Sequence, residues 1–180
     1  QIPEGVTSIG SHAFNSCTNL ENIYLPSTLT TLETNCFKDC VAIKEINLPN
    51  DIISLGGGAF QNCSQLKRIT LPIGITEIAD NMFSKCIALE EVTILGDVTA
   101  IGTKAFFNCS ALTSITIPEK VTTLKYQTFY GCSSLTEITI PNAVTTIEDS
   151  VFQSCKGLTK VTIGTGIETI GQSAFTSCTN

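Results

Sequence analysis

The sequence predicts a repeat solenoid, on two residue columns and the spacing that both keep. Cysteine stands at Cys17, Cys40, Cys63, Cys86, Cys109, Cys132, Cys155 and Cys178, each 23 residues after the last. Phenylalanine keeps the same step at Phe14, Phe37, Phe60, Phe83, Phe106, Phe129, Phe152 and Phe175. No insertion or deletion interrupts either column over the 180 residues. Self-similarity at a fixed period of this size marks stacked supersecondary units. One such unit is too small to bury its own apolar side chains, so neighbours must stack and the architecture becomes quasi-one-dimensional.

Within one unit, the segment Leu112-Thr113-Ser114-Ile115-Thr116-Ile117 predicts a strand. Ile115 and Ile117 are two apart, so a strand turns both to the core and Thr116 to the open face. Its β-branched composition suits that conformation. Pro118 has no amide to donate, which fits a strand end followed by a turn. Val121–Leu124 then reads as a short extended piece on the return side. In Ala105-Phe106-x-x-Cys109-x-x-Leu112 the apolar positions are three apart, which predicts a short helical or 3₁₀ turn. The whole is expected to be one array over residues 1–180, about eight coils, truncated at both ends, with a parallel sheet on its concave side. The first coil enters at Ile2 and the last stops at Asn180 before its strand. Phe14 and Phe175 therefore have fewer neighbours, and fraying or end-to-end self-association is expected there.

The Leu112-x-x-Ile115-x-Ile117 spacing, preceded by Ile101-Gly102-x-x-Ala105-Phe106-x-x-Cys109, resembles the BspA-like subfamily of leucine-rich repeats, and does so along the whole chain. The resemblance implies a right-handed superhelix and a cell-surface or secreted location. It implies adhesion to, or recognition of, macromolecules, host matrix proteins among them. No binding residue carries over by position, because a fold does not fix a site.

Composition excludes several classes. Charged residues are 14% of the chain, hydrophobic ones 42%, and the net charge is -6. A nucleic-acid binder needs clustered Lys and Arg, and so does electrostatic docking on an anionic membrane. No apolar run approaches the roughly 20 residues of a membrane span. The chain begins Gln1-Ile2-Pro3, which reads as a processed or excised piece.

The nine cysteines invite a metal or disulfide reading. Eight lie in one column beside Phe and Leu, where a small thiol packs well, and they are expected to be reduced, buried and stacked. Cys36 is outside that column, in a position that holds Ala in half the coils; a Cys36–Cys40 disulfide is the alternative there. No second close pair of ligands completes a metal site. The one histidine, His12, shares its column with Asn35, Gly58, Asn81, Lys104, Gln127, Ser150 and Ser173, read as exposed and unconstrained. Adjacent carboxylates such as Glu90-Glu91 and Glu148-Asp149 diverge and read as solvated charge. No nucleophile–base pair is present, so neither an enzyme nor a cofactor is expected. The sequons at Asn62 and Asn108 read as by-products of a repeated turn.

Two surfaces remain as binding candidates. On the open strand face, one outward column includes Arg68, Glu91 and Glu137, and the other includes Tyr24, Thr93, Thr116 and Thr139. The threonines suit exposed strand positions and hydrogen bonding across coils, or a rank that organises water or a polysaccharide. Away from that face, Phe107 and Tyr130 are 23 residues apart and Tyr126 lies four before Tyr130, which predicts an aromatic patch. The reading is a non-catalytic module that binds a protein or glycan at a cell surface. The alternative is a spacer that projects other domains.

Overall fold

The computed structural model describes residues 1–180. In chain order the strands are β1 (Ser8–Ile9), β2 (Thr31–Leu32), β3 (Ser54–Leu55), β4 (Arg68–Leu71), β5 (Glu77–Ile78), β6 (Glu91–Ile94), β7 (Ala100–Ile101), β8 (Thr123–Leu124), β9 (Glu137–Ile140), β10 (Thr146–Ile147), β11 (Lys160–Ile163) and β12 (Thr169–Ile170). Every pairing is parallel, and every register step is 23 residues, as in Arg68 opposite Glu91 and Thr146 opposite Thr169. The strands form ladders on two faces, where the sequence suggested one sheet. The four-residue strands β4, β6, β9 and β11 make the strand face, in two separate pairs. The two-residue strands make the return face, β1-β2-β3 and then β5-β7-β8-β10-β12. The extended piece expected in Val121–Leu124 is β8 of that return face.

The helical or 3₁₀ turn is not there. Residues 103–108 form consecutive turns with no helix. Ala105, Phe107 and Cys109 do donate their amides to the carbonyls three residues back, at 3.1–3.3 Å. The amides between them go elsewhere: Lys104 to Tyr126, Phe106 to Thr128 and Asn108 to Tyr130 of the next coil, at 2.7–3.0 Å. A helix aims all its amides along its own axis, whereas here alternate amides must point at a neighbouring coil. Two residues per coil meet that demand by taking left-handed backbone.

One left-handed position is the His12 column. All eight of its residues have positive φ, from 55° at Gln127 to 64° at Gly58. The column is therefore constrained in backbone, contrary to the reading from its mixed side chains. The second is Ser16, Asp39, Asn62, Lys85, Asn108, Gly131, Ser154 and Ser177, again all with positive φ. Asn, Asp and Gly tolerate this conformation best, and other residues pay about 1–2 kcal/mol. Both sequon asparagines stand in the second column. The Asn62 side-chain nitrogen, which a glycan would modify, donates to Asp39 at 2.8 Å.

The core lies between the faces and the turns. Phe37, Phe60, Phe83, Phe106, Phe129 and Phe152 are fully buried. Neighbouring rings of the phenylalanine column stack nearly parallel, with centroids 5.2–6.0 Å apart. Phe14 and Phe175 are only partly buried, as expected of terminal coils. All nine cysteines are free, Cys36 and Cys40 included. From Cys40 onward, each columnar thiol donates to the carbonyl of the Phe 26 residues earlier, as Cys109 does to Phe83 at 3.1 Å. That carbonyl already accepts a backbone amide, so the thiol supplies its second partner inside an apolar column. Burial pushes the thiols up from their ordinary 9.0, Cys40 to about 11 and Cys86 and Cys155 to about 12, with Cys109 and Cys132 well above it.

Two outcomes follow from the thiol column. Cys109→Ala loses a buried sulfur and its donor, and urea unfolding is expected to show a loss of about 1–2 kcal/mol. Cys17→Ala is the control: that thiol is partly exposed and is expected to cost much less. The pH dependence has a fixed sign. Below pH 9 the thiols are neutral in folded and unfolded chains alike. Above it the unfolded chain loses protons that the folded chain keeps, so stability falls from about pH 9 toward about 12. Chemical unfolding measured across that window checks it.

Candidate functional site on the strand face

On β4, β6, β9 and β11 the burial alternates where neighbours cover the strand, as in Arg68–Leu71 and Glu137–Ile140. The inward residues Ile69, Leu71, Ile138 and Ile140 join the core. The outward ones are the two columns singled out from the sequence. Thr70, Thr116 and Thr139 are exposed and Thr93 is partly so. Cross-coil hydroxyl bonds, expected of this rank, occur on other columns: Thr30 to Thr7, Thr145 to Thr122 and Thr159 to Thr136, at 3.1–3.4 Å. The hydroxyls of Thr93, Thr116 and Thr139 remain free to bond outward.

The strand face is not continuous. Ser114–Ile117 occupies the strand position of its coil, but none of its amides or carbonyls takes part in a backbone hydrogen bond. The coils are still joined just before it, where Ala111 donates to Ile87 at 3.2 Å. They are joined again beyond it, where Ile101 pairs with Leu124 on the return face. The opening is therefore local to the strand face. Ile115, a core position, is only partly buried, whereas its counterparts Ile69 and Ile138 are 3% and 2% exposed.

Two grooves flank this segment. One, of about 440 Å³, is lined by Glu91, Val92, Thr93, Ile94, Gly96, Ser114, Ile115, Thr116 and Pro118. The other, of about 420 Å³, is lined from Ser114 to Ile117 on one side and by Glu137, Ile138, Thr139 and Lys160 on the other. Smaller grooves lie at the two other open junctions, one beside Tyr24 and one beside Arg68. Every strand-face candidate from the sequence thus borders an inter-coil groove.

Each of the two bonded ladders carries an ion pair across its junction. At the bonded junctions Arg68 stands 3.8 Å from Glu91, and Lys160 stands 3.7 Å from Glu137. Such exposed pairs contribute about 0–1 kcal/mol each. Ser114, between Glu91 and Glu137 in the same column, has no charge to offer either neighbour.

The aromatic candidates lie elsewhere, on the turn side. Phe107 and Tyr130 stack at 5.0 Å with planes 14° apart. Lys104 lies over both Phe107 and Tyr126, its Nζ 5.6 Å from each ring centroid. Lys104 thus joins the three aromatics into one cluster, and sequence spacing had not included it. The Phe107–Tyr130 faces cover each other, so this pair offers mainly ring edges. Tyr126 is the most exposed of the three, at 41%. No group of three or more His, Cys, Asp or Glu side chains is placed to hold a metal ion.

Parallel 23-residue coils around a Phe and Cys core, with an apolar segment of the Leu-x-x-Ile-x-Ile type in each, define a leucine-rich-repeat solenoid. The chain belongs to the BspA type leucine rich repeat family, whose model matches residues 1–113 and 99–180 in six copies. No curated protein matches it in sequence. Among solved structures it is similar to a leucine rich cell surface protein of Faecalibacterium prausnitzii A2-165, at 30% identity and TM-score 0.66, over 99% of this chain and 56% of that one. It is similar to a leucine rich repeat protein of T. pallidum, at 31% identity and TM-score 0.81, over 88% of this chain and 75% of that one. A leucine-rich repeat protein of Eubacterium ventriosum ATCC 27560 matches at 28% identity and TM-score 0.74, over 85% and 41%. The chain spans about half the length of the Faecalibacterium protein.

The open segment has a direct signature in solution. Amides of Ser114–Ile117 have no backbone acceptor and are expected to exchange with deuterium at least about tenfold faster than those of β6 and β9. Equal protection across the three coils would show a closed ladder.

Proposed function

We propose that this chain is a non-catalytic recognition module at a cell surface, and that its partner, a protein or a glycan, lies across the strand face around Ser114–Ile117. The observation that carries the reading is the pair of grooves beside that segment, about 440 and 420 Å³. They bring together free hydroxyls, carboxylates and unpaired backbone groups on both sides of one segment, and they are larger than the grooves at the other open junctions. Unpaired backbone groups hydrogen-bond to whatever lies against them, water or ligand. A partner that supplies those bonds gains from every group at once.

The surface location rests on family membership and on the cell-surface protein to which the chain is similar. The extracellular matrix of a host is one source of partners under this reading, and a glycan is the other. A non-catalytic role agrees with the family, and the free thiols suit packing better than chemistry. Their pKa values are raised by burial, so the thiolate that a nucleophile needs is disfavoured.

The test is binding to immobilised matrix proteins and to a glycan array. Thr93→Val, Thr116→Val and Thr139→Val remove the hydroxyls and keep a β-branched shape. Together they are expected to weaken capture by about tenfold or more, at about 0.5–1.5 kcal/mol for each hydrogen bond lost. Phe107, Tyr126 and Tyr130 replaced together by Ser should leave capture unchanged. The reverse pattern would move the site to the aromatic cluster. Capture unchanged in both variants would move the site to another face, and no partner on either surface would favour the spacer.

A further inference from the structure

Besides Ile87, three large aliphatic side chains break the repeat's own columns and are exposed. Ile53 stands where Thr30, Thr76, Thr99, Thr122 and Thr145 stand in other coils, and it is 65% exposed. Ile73 stands among Ser27, Asn50, Glu119 and Asn142, and it is 74% exposed. Leu95 occupies the position of Pro26, Pro49, Pro72, Pro118 and Pro141, and it is 55% exposed. Folding of the coil does not ask for these residues, because the other coils fold with polar groups or proline there. The three are neighbours across adjoining coils: a Cβ placed on Gly74 would meet Ile53 Cγ2 at 2.9 Å, and one on Gly96 would meet the Ile73 carbonyl oxygen at 2.8 Å.

A second observation falls at the same place. The return-face ladder stops between β3 and β5. The Ile53 carbonyl accepts no hydrogen bond and the Thr76 amide donates none, although the matching groups at Thr30 and Ile53 are joined at 3.0 Å. A small groove of about 90 Å³ opens there, lined by Ile53, Ser54, Leu55, Ile75, Thr76 and Glu77. The charged groups nearest in sequence to the patch are Asp51, Glu77 and Asp97, with Glu119 and Lys120 on the next coil. Lys120 is bound to Asp97 at 2.7 Å, which leaves the rim acidic.

We propose that Ile53, Ile73 and Leu95 form a docking surface for an extended peptide segment of a partner protein, one that carries apolar side chains between basic ones. Apolar anchors cover the three side chains, and basic residues meet Asp51 and Glu77. The surface is too small for a second copy of this chain: three such side chains offer on the order of 300 Å², and a stable dimer buries about 800 Å² per partner. The proposal rests on the reading of the chain as a recognition module. It concerns a different face from the grooves at Ser114, so the two can fail separately.

The experiment titrates the whole chain, ¹⁵N-labelled, with a short synthetic peptide in which Lys and Leu alternate. The variant is Ile53→Thr, Ile73→Asn and Leu95→Ser together: the first two restore residues that the repeat itself uses, and serine keeps the Leu95 amide that donates to Leu71 at 3.1 Å. The expected result is saturable shifts of the Ile53, Thr76 and Glu77 amides, and an apparent Kd at least about tenfold weaker in the variant. A Glu–Leu peptide should bind more weakly than the Lys–Leu one. Equal binding by wild type and variant overturns the proposal, as does indifference to the sign of the peptide's charge. Self-association of the wild type that the variant abolishes overturns it in favour of a second copy. Binding to phosphatidylserine vesicles that the variant abolishes, without peptide binding, overturns it in favour of a membrane.

Discussion

Everything in this molecule depends on the backbone bonds between turns of successive coils. In each turn alternate amides bond within the coil and to the next one, as at Lys104, Phe106 and Asn108. Left-handed residues at two fixed positions make that alternation geometrically feasible. The cost recurs in every coil and is offset by three cross-coil hydrogen bonds and by the Phe ring they hold in place. One extra residue would put the next coil's amides out of phase with these carbonyls, which accounts for an unbroken 23-residue period.

That stitching leaves the strand face free to vary. With the coils fixed at the turns and for most of the return face, strand-face pairing is not needed to keep the stack together. Both paired junctions carry an ion pair, Arg68 beside Glu91 and Glu137 beside Lys160, although Glu45 opposite Arg68 makes only an isolated bridge. Pairing is absent on both sides of Ser114. The result is a stack bonded at every turn with local openings on one side, an arrangement suited to contact with a partner. The Cys column belongs to the rigid part. Its thiols act as second donors to Phe carbonyls inside the apolar core, and burial holds them protonated.

The same logic separates two kinds of departure from the repeat. Lys104, Phe107, Tyr126 and Tyr130 sit on the turn side, where neighbouring coils are bonded at every step, and they pack on one another. Ile53, Ile73 and Leu95 sit beside a break in the return ladder and leave their side chains in water. The second group is the one that the coil's own packing does not account for.

The sequence alone determined the period, the core columns and the inward and outward sides of each strand. These follow from local rules: spacing of two turns side chains to one side, and a fixed period forces stacking. It also carried the signal for Ile53, Ile73 and Leu95, as apolar entries in polar or proline columns. Tertiary structure alone decided that the turn is left-handed at two residues and not helical, because amides directed at another coil leave no mark in one coil's apolar spacing. It alone decided that the ladder opens at Ser114–Ile117, whose sequence differs from the paired Glu137–Ile140 only at Ser114. Whether a strand pairs depends on the distance between coils, and that distance is set by bonds on the opposite side of the stack.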